Sequence, residues 1–303
     1  MIPIFIIVHD RVECLKKAVK SFEEQIKETP IKIVFHDVAS TYKPCLEYLN
    51  EMREKGYQVY HSSVNDHHTV MNSVKDYLAK NQDCQYYVIT DPDIELDNVN
   101  GDILEYYQFL IEKFGRKYVA GPILRIDDIP DHYPKKALVI SRNQYHRFGS
   151  WKVRPELVQW KDAEYKVTPV PIDTTFHLAH RSNLDSTPRR FGLRCHAPYS
   201  ARHLDWYIDP KNMTQDEKYY CDHASPRISH WGKDLLAHPS TFKLPPIRPS
   251  QVPKLPPPRT RSIAYKPEPK PSPVKPAIKP SNKPAVAQAT PQPRIVKTKK
   301  INC

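Results

Sequence analysis

Short apolar runs alternate with apolar stripes spaced three and four residues apart through the first 125 residues, and this alternation restricts the fold more than any other feature. Ile4–Val8 is a continuous apolar run, as expected of a strand covered on both faces. Asp10 then offers a helix N-cap, and Val12, Leu15, Val19, Phe22 and Ile26 line up on one side of an amphipathic helix. The pattern repeats with a strand over Ile31–Phe35 and a helix marked by Leu46, Leu49 and Met52, closed by Gly56. A strand over Tyr57–Tyr60 precedes a helix striped by Val70, Val74, Tyr77 and Leu78. A strand over Tyr86–Thr90 precedes a helix striped by Ile103, Tyr107, Leu110 and Phe114, and a fifth strand follows over Tyr118–Ile126. Four successive β–α units predict an α/β fold with a mostly parallel, doubly wound, Rossmann-like sheet and right-handed crossovers.

From 127 to 238 the period is lost. Strand-like pieces at Ala137–Ser141, Lys166–Pro171 and Thr174–Leu178 sit among aromatic, His-rich loops, which predicts a mixed α+β portion capping the carboxyl edge of the sheet. Beyond His238 the composition shifts: residues 239–303 hold 17 of the 31 prolines and 14 of the 46 basic residues, with Glu268 as their one acid. Such a segment buries too little apolar surface to offset its chain entropy and is expected to be disordered and polyproline-like. The excess positive charge therefore belongs to the tail, and residues 1–238 are one charge from neutral. A near-neutral globular part argues against nucleic-acid binding. The tail suits an acidic surface, or a reader of Pro-rich motifs through Lys243, Pro246 and Pro249. No run of 18 apolar residues predicts a membrane span, and Met1–Val8 lacks the marks of a signal peptide. The six cysteines are scattered singly, which reads as reduced thiols in a cytoplasmic-type compartment.

Ligands of doubly wound sheets bind outside the carboxyl ends of the strands. Asp10, Asp37, Asp91 and Asp93 stand at such ends. The pair Asp91-Pro92-Asp93 aims two carboxylates at one spot, the donor set of a hard dication that also bridges substrate phosphates. An Asp-Pro turn with one acid capping a helix is the structural alternative. An EF-hand is excluded, since Leu96 and Asp102 replace its obligatory Gly and Glu. There is no G-x-G-x-x-G, P-loop, H-E-x-x-H or G-x-S-x-G, and only 7 glycines occur, which argues against a dinucleotide enzyme or a kinase. His177 and His180 read as a packed or solvated pair, and His67, His68, His196, His203, His223 and His230 as loop residues, mostly without special roles. Trp151, Trp160, Trp206 and Tyr207 are candidates for stacking on a sugar, though core packing explains each taken singly.

The strand leading into Val8-His9-Asp10-Arg11, the strand ending at Asp37 with Ser40, and the strand ending at Asp91-Pro92-Asp93 together resemble a GT-A glycosyltransferase of the family 2 type. The stretches Gly121–Pro130 and Arg202–Pro210 are similar to small glycosyltransferases of bacteria and large DNA viruses, including the chlorovirus capsid-glycosylating type. The resemblance covers about 1–236. It implies a transferase domain over 1–238, with a nucleotide-sugar half over 1–126 and an acceptor half over 127–238, and a host-cytoplasmic location for a viral member. It implies that His9, Asp10, Arg11, Asp37, Asn72 and Asp91 bind a nucleoside-diphosphate sugar, with Gly residues customary near Asn72 replaced by Asp66, His67 and His68. It implies Mn²⁺ or Mg²⁺ on Asp93, Asp91 and a late His matched by His230, and a catalytic base matched by Asp173, with Asp127 and Asp128 as rivals.

The reaction so implied moves a sugar, most simply from a UDP-sugar, to a hydroxyl of a glycan or glycoprotein. A carboxylate-held dication stabilises the departing diphosphate and a carboxylate deprotonates the acceptor. Two other readings fit some of the same features: a sugar-1-phosphate nucleotidyltransferase, which wants a Gly-rich basic loop where His9-Asp10-Arg11 stands, and a non-catalytic scaffold acting through the tail.

Overall fold

All seven residues of β1 (Ile2–Val8) are buried, with Ile4, Ile6 and Val8 in one apolar layer and Phe5 and Ile7 in the other. A strand apolar on both faces must lie inside a sheet covered on both sides, and the rest of the chain is arranged accordingly. The protein is seen in a computed structural model that describes residues 1–143, 147–148, 151–184, 191–223 and 231, which fall in one compact unit.

The first half follows the expected alternation. After β1 come α1 (Val12–Gln25), β2 (Ile31–Val38), α2 (Lys43–Glu54), β3 (Gln58–Ser62), α3 (Val70–Lys80) and β4 (Tyr86–Thr90). The short β5 (Ile94–Glu95), α4 (Ile103–Phe114) and β6 (Val119–Pro122) follow. The predicted stripe of α1 is its buried face: Val12, Leu15, Val19 and Phe22 are all inside. Helices α1, α2 and α4 cover one side of the sheet, while Val70, Met71 and Val74 of α3 cover the other.

The second half supplies α5 (Lys136–Arg142), β7 (Arg147–Phe148), β8 (Trp151–Lys152), β9 (Glu156–Trp160), β10 (Ala163–Thr168), β11 (His177–His180), β12 (Gly192–Cys195), β13 (Arg202–His203) and α6 (Gln215–His223). The main sheet runs β3-β2-β1-β4-β11-β6-β12-β10-β9. Its β1–β4 portion is parallel, β11 is antiparallel to both β4 and β6, and β12 runs parallel to β6. The carboxyl ends of β1, β2, β4, β6 and β12 therefore share one edge, and β5 pairs with β13 as a separate ribbon beside it.

Three local expectations are corrected. Ala137–Ser141, read as a strand, lies inside helix α5; a short apolar run fits either period, and here only Val139 is buried. The strand expected over Thr174–Leu178 begins at His177, because the chain turns through Phe176, whose φ is 34°. The strand expected over Tyr118–Ile126 ends at Pro122, after which only Leu124 pairs, with Ala201. His177 and His180 are both buried in β11. No helix among the described residues is long and apolar enough to cross a membrane, and none of the five described cysteines is in a disulfide. The tail 239–303, His230 and the side chain of Trp151 lie outside the described residues.

Candidate functional site

Beyond β4 the chain turns through Asp91-Pro92-Asp93 into β5, and the pairing of β5 with β13 sets Ile94 against His203. The amide of Leu204 donates to the Asp93 carbonyl at 2.7 Å, so the short helical turn after β13 is sewn onto the end of β4. Asp93, His203 and Asp205 thereby meet, all three buried, with their candidate ligand atoms within 4.8 Å of one another. This group differs from the expected metal set: Asp93 is shared, His203 and Asp205 are new, Asp91 is held elsewhere, and His230 is not described. His203-Leu204-Asp205 lies within a stretch singled out in the sequence, but no local spacing tied it to Asp93, 110 residues earlier.

Arg11, at the start of α1, reaches into the same cluster. Its Nη1 donates to Asp93 Oδ2 at 2.8 Å, its Nη2 donates to Asp205 Oδ1, and its guanidinium lies 4.8 Å from the centroid of the Tyr220 ring on α6. His203 stacks on Trp206 with ring centroids 4.9 Å apart and planes 6° from parallel, and its Nδ1 is 3.5 Å from Asp93 Oδ2. Asp93 Oδ1 and His203 Nδ1 are buried without a hydrogen-bond partner.

Burial alone would raise the Asp93 carboxyl, but His203 and Arg11 outweigh it and hold that carboxyl below its usual range. Asp205 is raised by burial despite Arg11. Asp91 is raised well above the usual range by burial, then by Asp93 and Asp173, against a hydrogen bond from Thr174. Two carboxylates, Asp93 and Asp205, thus share one guanidinium, and the two buried atoms without a hydrogen bond are a carboxylate oxygen and an imidazole nitrogen. That donor set fits a dication such as Mn²⁺, held by Asp93, His203 and Asp205. A second group of potential ligands, Asp66, His67 and His68, is largely exposed.

Asp173 stands on the segment between β10 and β11. Thr175 donates to its Oδ1 from both the hydroxyl (2.9 Å) and the amide (3.3 Å), and Arg194 Nη2 lies 3.7 Å away. Arg194 and Thr175 outweigh the effect of burial and lower this carboxyl, so it stays ionised while its side chain remains 56% exposed. The segment can reach this place because β6 and β12 carry glycine beneath it. A Cβ on Gly192 would stand 2.4 Å from the Val170 carbonyl oxygen, and one on Gly121 would stand 2.6 Å from that of Phe176. Of the rivals, Asp128 is locked by Arg125, Arg202 and Tyr207, whereas Asp127 is exposed beside Arg125.

The expected nucleoside residues are placed less uniformly. Asp10 has φ 57°, tolerable for Asp, and its Oδ1 accepts the Thr41 and Tyr42 amides at the start of α2. Asp37 accepts from the Ser40 amide at 3.0 Å and pairs with His61 Nδ1 at 2.6 Å. His9 Nδ1 donates to the Val38 carbonyl, and Asn65 donates to His9 Nε2, both at 2.9 Å. His9, Asp10 and Asp37 therefore brace the loops of this edge. Asn72 is on the exposed side of α3, apart from them.

Beyond the β5–β13 ribbon, a cavity of about 880 Å³ is lined by residues including Leu124, Arg125, Asp127, Thr168, His196 and Pro198. Trp160 is partly buried against the core, packing on Phe109 and donating to Asp102, and Trp206 is a core residue buried under His203.

No family model matches the sequence, and no curated protein matches it. Among solved structures, it is similar to the mannosyltransferase PcManGT of Pyrobaculum calidifontis in complex with GDP-Man and Mn²⁺, at 14% identity over 42% of this chain and 36% of that one, with a TM-score of 0.32. It is similar to GalNAc-T7 with UDP, GalNAc and Mn²⁺, at 14% identity over 66% of this chain and 43% of that one, with a TM-score of 0.42. A third is S. aureus TarS 1–349 in complex with UDP-GlcNAc, at 14% identity over 44% of this chain and 38% of that one, with a TM-score of 0.30. The chain thus spans less than half the length of each.

Proposed function

We propose that the protein is a metal-dependent glycosyltransferase using a nucleoside-diphosphate sugar. The observation that carries this reading is the meeting of Asp93, His203 and Asp205, with Asp91 and Asp173 nearby, at the carboxyl edge of a sheet whose parallel part suits a nucleotide. Asp93, His203 and Asp205 would hold Mn²⁺ or Mg²⁺. When bound, the dication supplies Lewis-acid stabilisation of the departing diphosphate.

The remaining chemistry belongs to the chain itself. Asp91 keeps its proton to higher pH than an ordinary carboxyl and can donate a hydrogen bond to a hydroxyl of the donor. Asp173, kept ionised by Arg194 and Thr175, removes the proton of the acceptor hydroxyl as that oxygen attacks the anomeric carbon. The bond from that carbon to the diphosphate oxygen breaks, and the diphosphate leaves with its electron pair. Among the described residues lining the 880 Å³ cavity, the guanidinium of Arg125 is already paired with Asp97 and Asp128, which suits a neutral hydroxylated acceptor better than a phosphorylated one.

The test is nucleotide release from a panel of UDP- and GDP-sugars incubated with the full chain and Mn²⁺. Wild type should release nucleoside diphosphate from at least one donor, and Asp93→Asn should lower that release by about 100-fold or more while the fold is kept. Equal release in Asp93→Asn, or in excess chelator, overturns the metal-dependent reading.

A further inference from the structure

Arg11 takes up one oxygen of each of the two carboxylates that would hold a dication. Its two terminal nitrogens donate to Asp93 Oδ2 and Asp205 Oδ1, the carboxylates of two segments that approach each other only in the folded chain. The guanidinium is buried, and a buried cation of this kind is kept only where carboxylates pair with it. The Tyr220 ring also lies against it, the ring centroid 4.8 Å away, and α6 is tied down by the tilted contact of the Tyr219 and Tyr42 rings, by the Tyr219–Thr41 hydrogen bond and by Asp216 accepting the Glu13 amide. Arg11 is thus enclosed between the carboxylates and a helix. Asp93 Oδ1 and His203 Nδ1, buried without a hydrogen bond, belong to the same cluster, with His203 Nδ1 3.5 Å from Asp93 Oδ2.

A dication drawn to those two atoms would meet a positive charge already bound to Asp93 Oδ2 and Asp205 Oδ1. Full use of Asp93 and Asp205 by the dication requires the guanidinium to give up at least one of them, since like charges at hydrogen-bonding separations repel strongly in a buried pocket.

We propose that Arg11 is a resident counter-cation of this cluster, which holds Asp93 and Asp205 together without metal and competes with the dication for them. The inference rests on the metal site described above. Arg11 sets the affinity of the site from the N-cap of α1, and it is a positioning residue rather than a catalytic one.

The test is Mn²⁺ binding by the full chain, with free Mn²⁺ read by electron paramagnetic resonance. Arg11→Met keeps an elongated side chain and removes the charge, and it should bind Mn²⁺ about 10-fold more tightly than wild type, within the usual range for coupled ligands. Arg11→Lys restores the charge and should return the affinity toward wild type. The gain should vanish when Asp93→Asn is added to Arg11→Met. Wild-type binding with no gain in Arg11→Met overturns the role of Arg11 and leaves the metal site standing. No Mn²⁺ binding in either protein overturns both, and a gain that survives Asp93→Asn places the ion elsewhere and overturns the proposal. A second measurement stands even where Arg11→Met does not fold. Phenylglyoxal labelling of Arg11 in wild type, read by peptide mass spectrometry, should rise on saturation with Mn²⁺. Labelling that stays level or falls refutes displacement.

Discussion

Thr174 holds Asp91 from two sides: its hydroxyl donates to Asp91 Oδ2 at 2.7 Å and its carbonyl accepts the Asp91 amide at 2.9 Å. The turn before β11 therefore orients the first carboxylate after β4, and the two halves of the chain meet at a titratable group. Asp91 is raised by burial and by Asp93 and Asp173, so its folded value lies above its unfolded one. Its contribution to stability is then complete below the ordinary carboxylate range and is lost as pH rises through the raised value. In the metal-free protein, urea midpoints should fall between weakly acidic and alkaline pH, and Asp91→Asn should flatten that slope. Parallel pH profiles for the two proteins would refute the assignment.

Asp173→Asn preserves shape and hydrogen bonding while removing the proton acceptor. Transfer to an acceptor hydroxyl should fall by about 10²–10⁴-fold, while donor affinity changes by only a few-fold. If transfer is nearly unchanged, the exposed Asp127 is the next candidate, since Asp128 is engaged by two arginines and a tyrosine.

Asp102, the residue before α4, ties that helix to the second half of the chain. It accepts from Tyr199 at 3.0 Å, Trp160 Nε1 at 3.2 Å and Lys161 at 2.6 Å. Burial would raise this carboxyl, but these donors outweigh it and hold it below its usual value. Its contribution is present above the unfolded carboxylate value and disappears as pH falls through the folded one. Asp102→Ala should cost about 2–4 kcal/mol at neutral pH, largely by leaving the Tyr199 hydroxyl without its acceptor. The difference from wild type in chemical denaturation should shrink in acid.

Gly192→Ala tests the seating of the segment that bears Asp173. Overpacking against Val170 and Ile172 should cost about 1–3 kcal/mol and should lower transfer more than donor binding, because Asp173 moves with the segment. Thermal melts and transfer kinetics measured together check both effects, and a variant as stable and active as wild type would contradict the packing described.

Much of the first half was legible because each strand and helix there carries its own period: Ile4–Val8 and the stripe Val12, Leu15, Val19 and Phe22 need no distant partner to be recognised. Asp91 and Asp93 were legible for the same reason, as carboxylates at the end of an apolar strand. His203 and Asp205 were not. The two-residue strand Arg202–His203 has no period to detect, and it becomes meaningful only by pairing with the equally short Ile94–Glu95. Helix α5 was misread because four apolar residues in a row satisfy both a buried strand and a helix turn. Arg11 was read as a ligand-binding residue of the first loop, and nothing local in the sequence shows that its guanidinium reaches carboxylates 82 and 194 positions away.

The insertion of β11 between β4 and β6 has a consequence for the nascent chain. Tyr87, Val88 and Ile89 are buried on both faces, yet the far edge of their strand is paired by residues made much later, His177–His180. At a synthesis rate of about 5–20 residues per second, that edge waits roughly 4–17 s for its partner. Throughout that interval the emerging polypeptide carries an open, apolar β-edge of the kind that invites pairing with other chains. Yield in cells should therefore depend on holdase chaperones and on translation speed between the two strands, more than the stability of the finished protein would suggest.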